Sequence, residues 1–277
     1  MTTTQLALTV ITLVAAVVNG ALGYGFSSIT VPLALLFLSN RVLNPAMVFA
    51  EVILNAYALW VNRRALPLVW RPLLPVVIGL LPGVIVGTLI VARVNPSILR
   101  FATFVVLLPL ILLQAAGQLR RARWSPAAST GFGGGLGVLY SVTTISGPPL
   151  ALMLTNQGFA QKEFRAGLGF IRLAESTMTA TAYAATGLFT PTSLALVPSI
   201  LPSVVIGVPI GVWLIRRVPA DAFRRLCMSF DAWIVGFGLS TLLRELRWVT
   251  GYAAYSVLAI VIVIDVVLLR RFFRDRH

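Results

Sequence analysis

Apolar residues fill this chain in long stretches, and polar residues gather mostly where the stretches end. Seven stretches have clear limits: 43–62, 72–92, 99–117, 166–186, 193–215, 223–243 and 248–269. Each has the length and apolarity of a membrane-spanning helix. Two further blocks, 5–39 and 127–156, are longer and interrupted. The first is broken by the run NGALGYGFSS at 19–28, and Pro32 opens its second part. The second holds GFGGGLGVLYSVTTISGPPLALMLTNQG at 131–158, with Gly147-Pro148-Pro149 in its middle. That run is too apolar for a surface loop and too rich in Gly, Ser, Thr and Pro for a lipid-facing helix. Proline supplies no N–H and turns the residue before it away from helix. A helix entering at Ala127 should therefore stop near Ser146 and restart at about Pro149. Broken backbone inside a membrane is tolerated only when buried in protein or lining a wet cavity. A restart also leaves unpaired N–H groups and a partial positive charge, which favour an anion. The alternative is a kinked helix whose small residues serve packing.

The two halves repeat. Pro32-Leu33-Ala34-Leu35 matches Pro149-Leu150-Ala151-Leu152, and at the same offset Gly20 falls on Gly137. Farther on, LPGVIVG (81–87) matches LPSVVIG (201–207), Arg93-Val94 matches Arg217-Val218, and Arg100 falls on Arg224. Their common order points to a duplication. The expected organisation is a first transmembrane repeat at 1–118, a basic cytoplasmic linker at 119–126, a second repeat at 127–243, and an additional C-terminal span with a basic tail at 244–277. If 5–39 and 127–156 are helical hairpins, Arg63, Arg64, Arg71, Arg120, Arg121, Arg123, Lys162, Arg165, Arg216, Arg217, Arg224, Arg225, Arg270, Arg271, Arg274 and Arg276 share one side. Only Arg41, Arg93, Arg100, Arg244 and Arg247 lie on the other. Basic residues concentrate on the cytoplasmic side, so the C-terminus is expected there. Three full spans per repeat invert the second relative to the first. The expected fold is therefore an all-α polytopic membrane protein of two inverted-topology repeats. Each has a broken or re-entrant hairpin plus three spans, and one extra span ends the chain.

Composition narrows the function. Of 277 residues 58% are hydrophobic, and mean hydropathy is +0.93, beyond any soluble domain of this size. The net charge of +14 sits in short loops, with no basic–aromatic patch for nucleic acid. One cysteine, Cys227, excludes an internal disulfide and a cysteine metal site. The one histidine is His277, so His-based catalysis lacks material, and Ser141 or Ser146 has no base to activate it. No GxxxxGK[ST] phosphate loop is present to energise transport. The N-terminal MTTTQLALTV lacks a positive n-region and reads as a retained membrane segment.

With its duplicated Gly-rich entry (GALGYGFSSITVP at 20–32, GGGLGVLYSVTTISGPP at 133–149) and its paired LP-x-V-x-x-G segments, the chain resembles the TauE/SafE family of sulfite and organosulfonate exporters. The resemblance covers roughly residues 8–268. Family members often carry a run of glycines in the first motif; here Tyr24 and Phe26 interrupt it, which bears on substrate size. The resemblance implies a multi-pass carrier of the bacterial inner membrane. It would move small sulfur- or carboxylate-bearing anions, usually outward, using the proton gradient.

Arg172 lies inside the span 166–186. At mid-membrane an arginine costs about 2.5–3.5 kcal/mol on insertion scales, so it should face the bundle interior with a partner. Glu175, three residues on, shares its helical face and is the expected partner. Arg172 then binds or gates an anion, or the two form a structural ion pair. Asn55 is its repeat counterpart, and Glu51, Asn55 and Asn62 form one stripe. Asn19, Tyr24, Ser27 and Ser28 at the first break, and Tyr140, Ser141, Thr143, Thr144 and Ser146 at the second, offer hydroxyls and amides to a cavity; Ser and Thr also bond back to their own helices. Asp231 and Asp265 read as structural, Asp265 within reach of Arg270 or Arg271. The candidate substrate-binding set is Arg172, Asn19, Tyr24, Ser27, Ser28, Asn55, Tyr140, Thr144, Ser146, Gly147 and Pro148; Glu51 and Glu175 are the candidate proton-coupling residues. No catalytic residue, metal site or cofactor is expected. The expected partners are a small anionic substrate and the lipid bilayer, with no nucleic acid and a homodimer left open. The leading reading is a secondary transporter, against a passive anion channel and, behind both, an intramembrane enzyme.

The charge asymmetry yields a topology test. In a background lacking Cys227, a cysteine at position 122 should stay unlabelled by an impermeant reagent in intact cells, whereas cysteines within 93–98 and 187–192 should react. Labelling at 122 from outside overturns the orientation.

Overall fold

The computed structural model describes residues 3–115, 124–217, 220–249 and 251–274. Arg120, Arg121, Arg123, Val218, Arg276, His277 and the side chain of Arg224 lie outside the described residues. Within them the chain is helical, with no strand. The first half runs α1 (Thr3–Leu22), α2 (Phe26–Ala34), α3 (Asn40–Asn62), α4 (Leu66–Arg93) and α5 (Pro96–Ala115). The second runs α6 (Pro126–Thr143), α7 (Gly147–Asn156), α8 (Gln161–Ala185), α9 (Pro191–Leu194), α10 (Val197–Leu214) and α11 (Ala220–Glu245), and α12 (Ser256–Arg274) closes the chain. Short 3₁₀ turns join α3 to α4 at Arg63–Ala65 and precede α12 at Gly251–Tyr255. Among the described residues, five helical stretches are long and apolar enough to cross a membrane: Thr3–Leu22, Asn40–Arg93, Pro191–Leu214, Arg225–Glu245 and Gly251–Phe272. The stretch Asn40–Arg93 folds back at its 3₁₀ turn. Val48 of α3 and Val91 of α4 share one core cluster, and Arg41 donates to the carbonyls of Val91 and Ala92 at 3.0 and 2.8 Å.

Both long blocks are broken, as their composition predicts. The first break is made by Gly23 and Gly25 at φ 85° and 106°, a left-handed region that glycine enters without a Cβ clash. Helix α2 begins directly after it, so Pro32 lies inside α2 instead of opening it. The second break centres on Thr144, left-handed at φ 57°, and α7 restarts at Gly147, two residues before the expected Pro149. Arg71, expected in a loop, is inside α4, because the turn at 63–65 is shorter than the apolar pattern suggested.

The halves interlock through glycine. Helix α1 packs along α10 and α6 along α4, so the opening helix of each half lies on the other half. A Cβ on Gly20 would sit 2.2 Å from the Val208 carbonyl oxygen, and one on Gly211 1.9 Å from that of Val17. On the other pair, a Cβ on Gly83 or Gly133 would sit 2.1 Å from the carbonyl oxygen of Gly134 or Val76 respectively. Such backbone approach is available only to small residues. Helices α3 and α8 cross between these pairs, and α2 meets α7.

The sequence places Arg225 among the loop cations and Asp265 within reach of Arg270 or Arg271. The structure corrects both. Arg225 is buried in α11 and donates to Asp265 of α12 at 2.7 Å, while the Trp233 indole donates to the second carboxylate oxygen at 3.1 Å. The last helix is thus tied to the bundle by a buried pair in which each carboxylate oxygen has a donor and the Arg225 Nε has no partner. At one end of the bundle, Arg41 caps the carbonyls at the end of α4, and Arg100 pairs with Glu245 and reaches the Leu35 carbonyl at 3.2 Å.

The interlock predicts unequal effects of one added methyl group. Gly83→Ala forces α4 from α6 and should lower stability in detergent by about 1–3 kcal/mol. Gly131→Ala, in the same helical layer with nothing within 4 Å of its Cβ, should be neutral or stabilise by up to about 1 kcal/mol. Thermal unfolding of the two variants checks the difference.

Candidate functional site

Where α3 crosses α8, Gly169 lets the backbone of Leu59 approach, a Cβ there being 3.2 Å from the Leu59 Cα. This close crossing brings Glu51 and Arg172 together in the protein interior. The Arg172 Nη2 donates to Glu51 Oε1 at 3.0 Å, with the two side chains 3% and 0% exposed. Arg172 therefore pairs with Glu51 of the first half, and not with Glu175, its expected partner. The same oxygen of Glu51 accepts from the Ser27 hydroxyl, and the Tyr140 hydroxyl donates to Oε2 at 2.7 Å. One carboxylate thus gathers donors from α2, α6 and α8. A buried ion pair is tolerable only with such additional hydrogen bonds.

Glu175 is equally buried but differently served. Its Oε2 accepts from Ser146 at 2.6 Å, and its Oε1 has no hydrogen-bond partner. The Nε of Arg172 is also without one. In each half, then, a serine at the helix restart donates to a glutamate on the next long helix. Asn55 reaches the Arg172 carbonyl at 3.3 Å and Ser176 at 3.4 Å, so the repeat counterpart of Arg172 lies beside it. Asn62 falls away from this group and bonds to Ala58 on its own helix.

The two breaks touch. A Cβ on Gly147 would lie 3.2 Å from the Cβ of Tyr24. Asn19 and Ser28 are buried near the first break, and the Oδ1 of Asn19 has no hydrogen-bond partner. Thr144 is buried at the second, but its hydroxyl turns back to the Thr143 carbonyl at 2.8 Å. Pro148 and Pro149 hold the second and third positions of α7, so this restart presents fewer N–H donors than expected, and Ser146 supplies a side-chain donor there. Helix α2 instead opens with Phe26, Ser27 and Ser28, all of which carry an N–H.

Breaking α6 frees its last carbonyls, and residues the sequence reading passed over satisfy them. Asn44 and Asn40 donate to the Val142 carbonyl at 2.7 and 3.4 Å, and Tyr183 donates to that of Ser141. Asn40 and Asn44 continue the Glu51–Asn55 stripe toward the start of α3, and that periodicity was a usable signal. Asp231 is buried on α11, its Oδ1 without a hydrogen-bond partner.

A cavity of about 440 Å³ lies at the mouth formed by Arg71, Trp124, Ser129 and Gln157. Beside it a cleft of about 220 Å³ follows α7 from Asn156 to Pro148, next to the second break. Trp124 borders both and meets Phe132 edge-on, ring centres 5.1 Å apart. The cluster around Arg172 is closed off from both spaces by burial.

Compared with known proteins, residues 8–237 match the family described as sulfite exporter TauE/SafE, a stretch that holds every member of the cluster. No curated protein and no solved structure matches the chain.

Proposed function

Because this chain belongs to the TauE/SafE family of sulfite exporters, we propose that it is a secondary transporter of small anions such as sulfite, organosulfonates or short carboxylates, working by alternating access around its two helix breaks. The observation that carries the proposal is the buried Arg172–Glu51 pair, flanked by both breaks and built from both halves. Arg172 is the anion ligand. A guanidinium can hold two oxygens of a sulfonate or carboxylate at once, and its Nε–H is already without a partner. Ser27, Ser146 and the start of α2 complete the cradle, with Tyr24, Asn19, Ser28, Asn55, Tyr140, Thr144, Gly147 and Pro148 around it. The exchanged packing of α1 on α10 and α6 on α4 supports inverted repeats whose hairpins approach from opposite faces, and the concentration of basic residues on one side supports a cytoplasmic C-terminus. A cluster sealed by burial fits a carrier that opens to one side at a time better than a pore. The cleft along α7 is the access route from the Arg71 face.

Reconstituted protein tests the assignment. Arg172→Lys keeps the charge and loses the fork, so binding should weaken with some transport retained. Arg172→Gln should abolish transport and also destabilise the fold by about 3–5 kcal/mol, because Glu51 is left buried and unpaired. The double change Arg172→Gln with Glu51→Gln removes that orphan charge. It should restore folding without transport of sulfite or methanesulfonate in liposomes. Wild-type affinity and flux in the double variant would make Arg172 a structural ion-pair partner only.

A further inference from the structure

The two buried acids of the cluster have different surroundings, and the geometry points to different duties: Glu51 is the fixed counter-ion of Arg172, and Glu175 is the residue that takes up a proton when the anion binds, so that proton and anion move in the same direction. This rests on the anion-transport reading above. Glu51 accepts from Arg172, Ser27 and Tyr140, which engage both of its oxygens. Three donors, one of them cationic, leave neither of its oxygens without a partner. Glu175 has one neutral donor, Ser146, and its Oε1 faces no partner while buried. A carboxyl oxygen in that position can carry a proton and donate it in a hydrogen bond to an incoming anion oxygen.

Charge balance gives the direction. The charged and titratable groups facing Glu175 are Arg172 on its own helix, Glu51 on α3 and Tyr140 on α6. Helix α7 brings none, α4 has Arg71 and Arg93 only near its ends, and Tyr24 packs on Gly147 at the first break. Arg172 and Glu51 cancel. An anion entering beside an ionised Glu175 would put two negative charges against a neutral pair in a medium of low dielectric, whereas a protonated Glu175 leaves the loaded site with one. The proton comes from the water on the side where the anion enters, rides on Oε1, and leaves to the water where the anion is released. Export then runs down the anion's own gradient and is opposed by an acidic exterior, contrary to the outward use of the proton gradient that the family resemblance implies.

Proteoliposomes with radiolabelled sulfite and methanesulfonate as probes, and a pH dye in the lumen, separate the possibilities. In wild type an acidic exterior should speed uptake at least threefold, with lumen acidification that follows the anion. Glu175→Gln should lose the response to the gradient, so that whatever flux it retains is the same with and without an acidic exterior. Glu51→Gln should lower exchange, and the flux that remains should still answer to the gradient. Ser146→Ala, which removes the only donor to Glu175, should displace the pH midpoint of uptake by about half a unit or more, while Ser27→Ala leaves it in place. If Glu175→Gln keeps gradient-driven uptake, if Glu51→Gln alone abolishes it, or if Ser146→Ala leaves the midpoint unmoved, the division of duties is wrong while anion transport stands. If neither probe moves in wild type, the transport reading fails and this inference falls with it.

Discussion

A charge in the middle of a membrane protein must be paired, and in this chain that requirement ties the two halves together. Arg172 comes from α8 and Glu51 from α3, and the pair is sealed by hydroxyls of Ser27 and Tyr140. The arginine of the second half is thus paired by a carboxylate of the first. Residues around the pair follow from this. The breaks at Gly23–Gly25 and Thr144–Ser146 deliver the serines, and the glycine faces of α4, α6, α1 and α10 bring the halves close enough for side chains to meet. The breaks in turn need their backbone satisfied, and Asn44, Asn40 and Tyr183 supply donors to the carbonyls that α6 leaves open.

The second buried pair, Arg225 with Asp265, obeys the same rule with a different outcome. Its carboxylate is served by Arg225 and Trp233, one donor to each oxygen, and the pair joins α11 to α12 away from the breaks. That arrangement reads as an anchor for the last helix. There the Arg225 Nε is unmatched but both oxygens of the carboxylate are engaged, whereas the cluster around Arg172 leaves a carboxylate oxygen, Glu175 Oε1, unmatched beside the unmatched Arg172 Nε. Buried groups without partners are costly, and a site that must accept a ligand is where such a cost is expected.

Much of this was legible in the chain. Gly, Ser and Pro marked both breaks. Glu51, Arg172 and Glu175 each stood out as polar residues on apolar spans. Their pairing was not legible. Helical spacing shows that Glu175 is on the face of Arg172, but says nothing of which other helix crosses that face, and the crossing of α3 supplied a better-placed carboxylate. Asp265 was misassigned for the same reason, since its partner Arg225 lies 40 residues away on a neighbouring helix. The donors at the second restart were overcounted because the helix begins at Gly147, which moves both prolines into the first turn.

The account stands on the claim that an anion replaces internal partners at Arg172. A crystal structure of the protein with 2-bromoethanesulfonate bound tests it most directly, because bromine scatters anomalously and places the ligand without ambiguity. The sulfonate should lie within hydrogen-bonding distance of the Arg172 guanidinium, between the start of α2 and the Ser146–Gly147 restart, with Glu51 displaced from or sharing that guanidinium. A sulfonate bound only in the cleft along α7 or at the bundle ends, with the Arg172–Glu51 pair unchanged at about 3.0 Å, would contradict it.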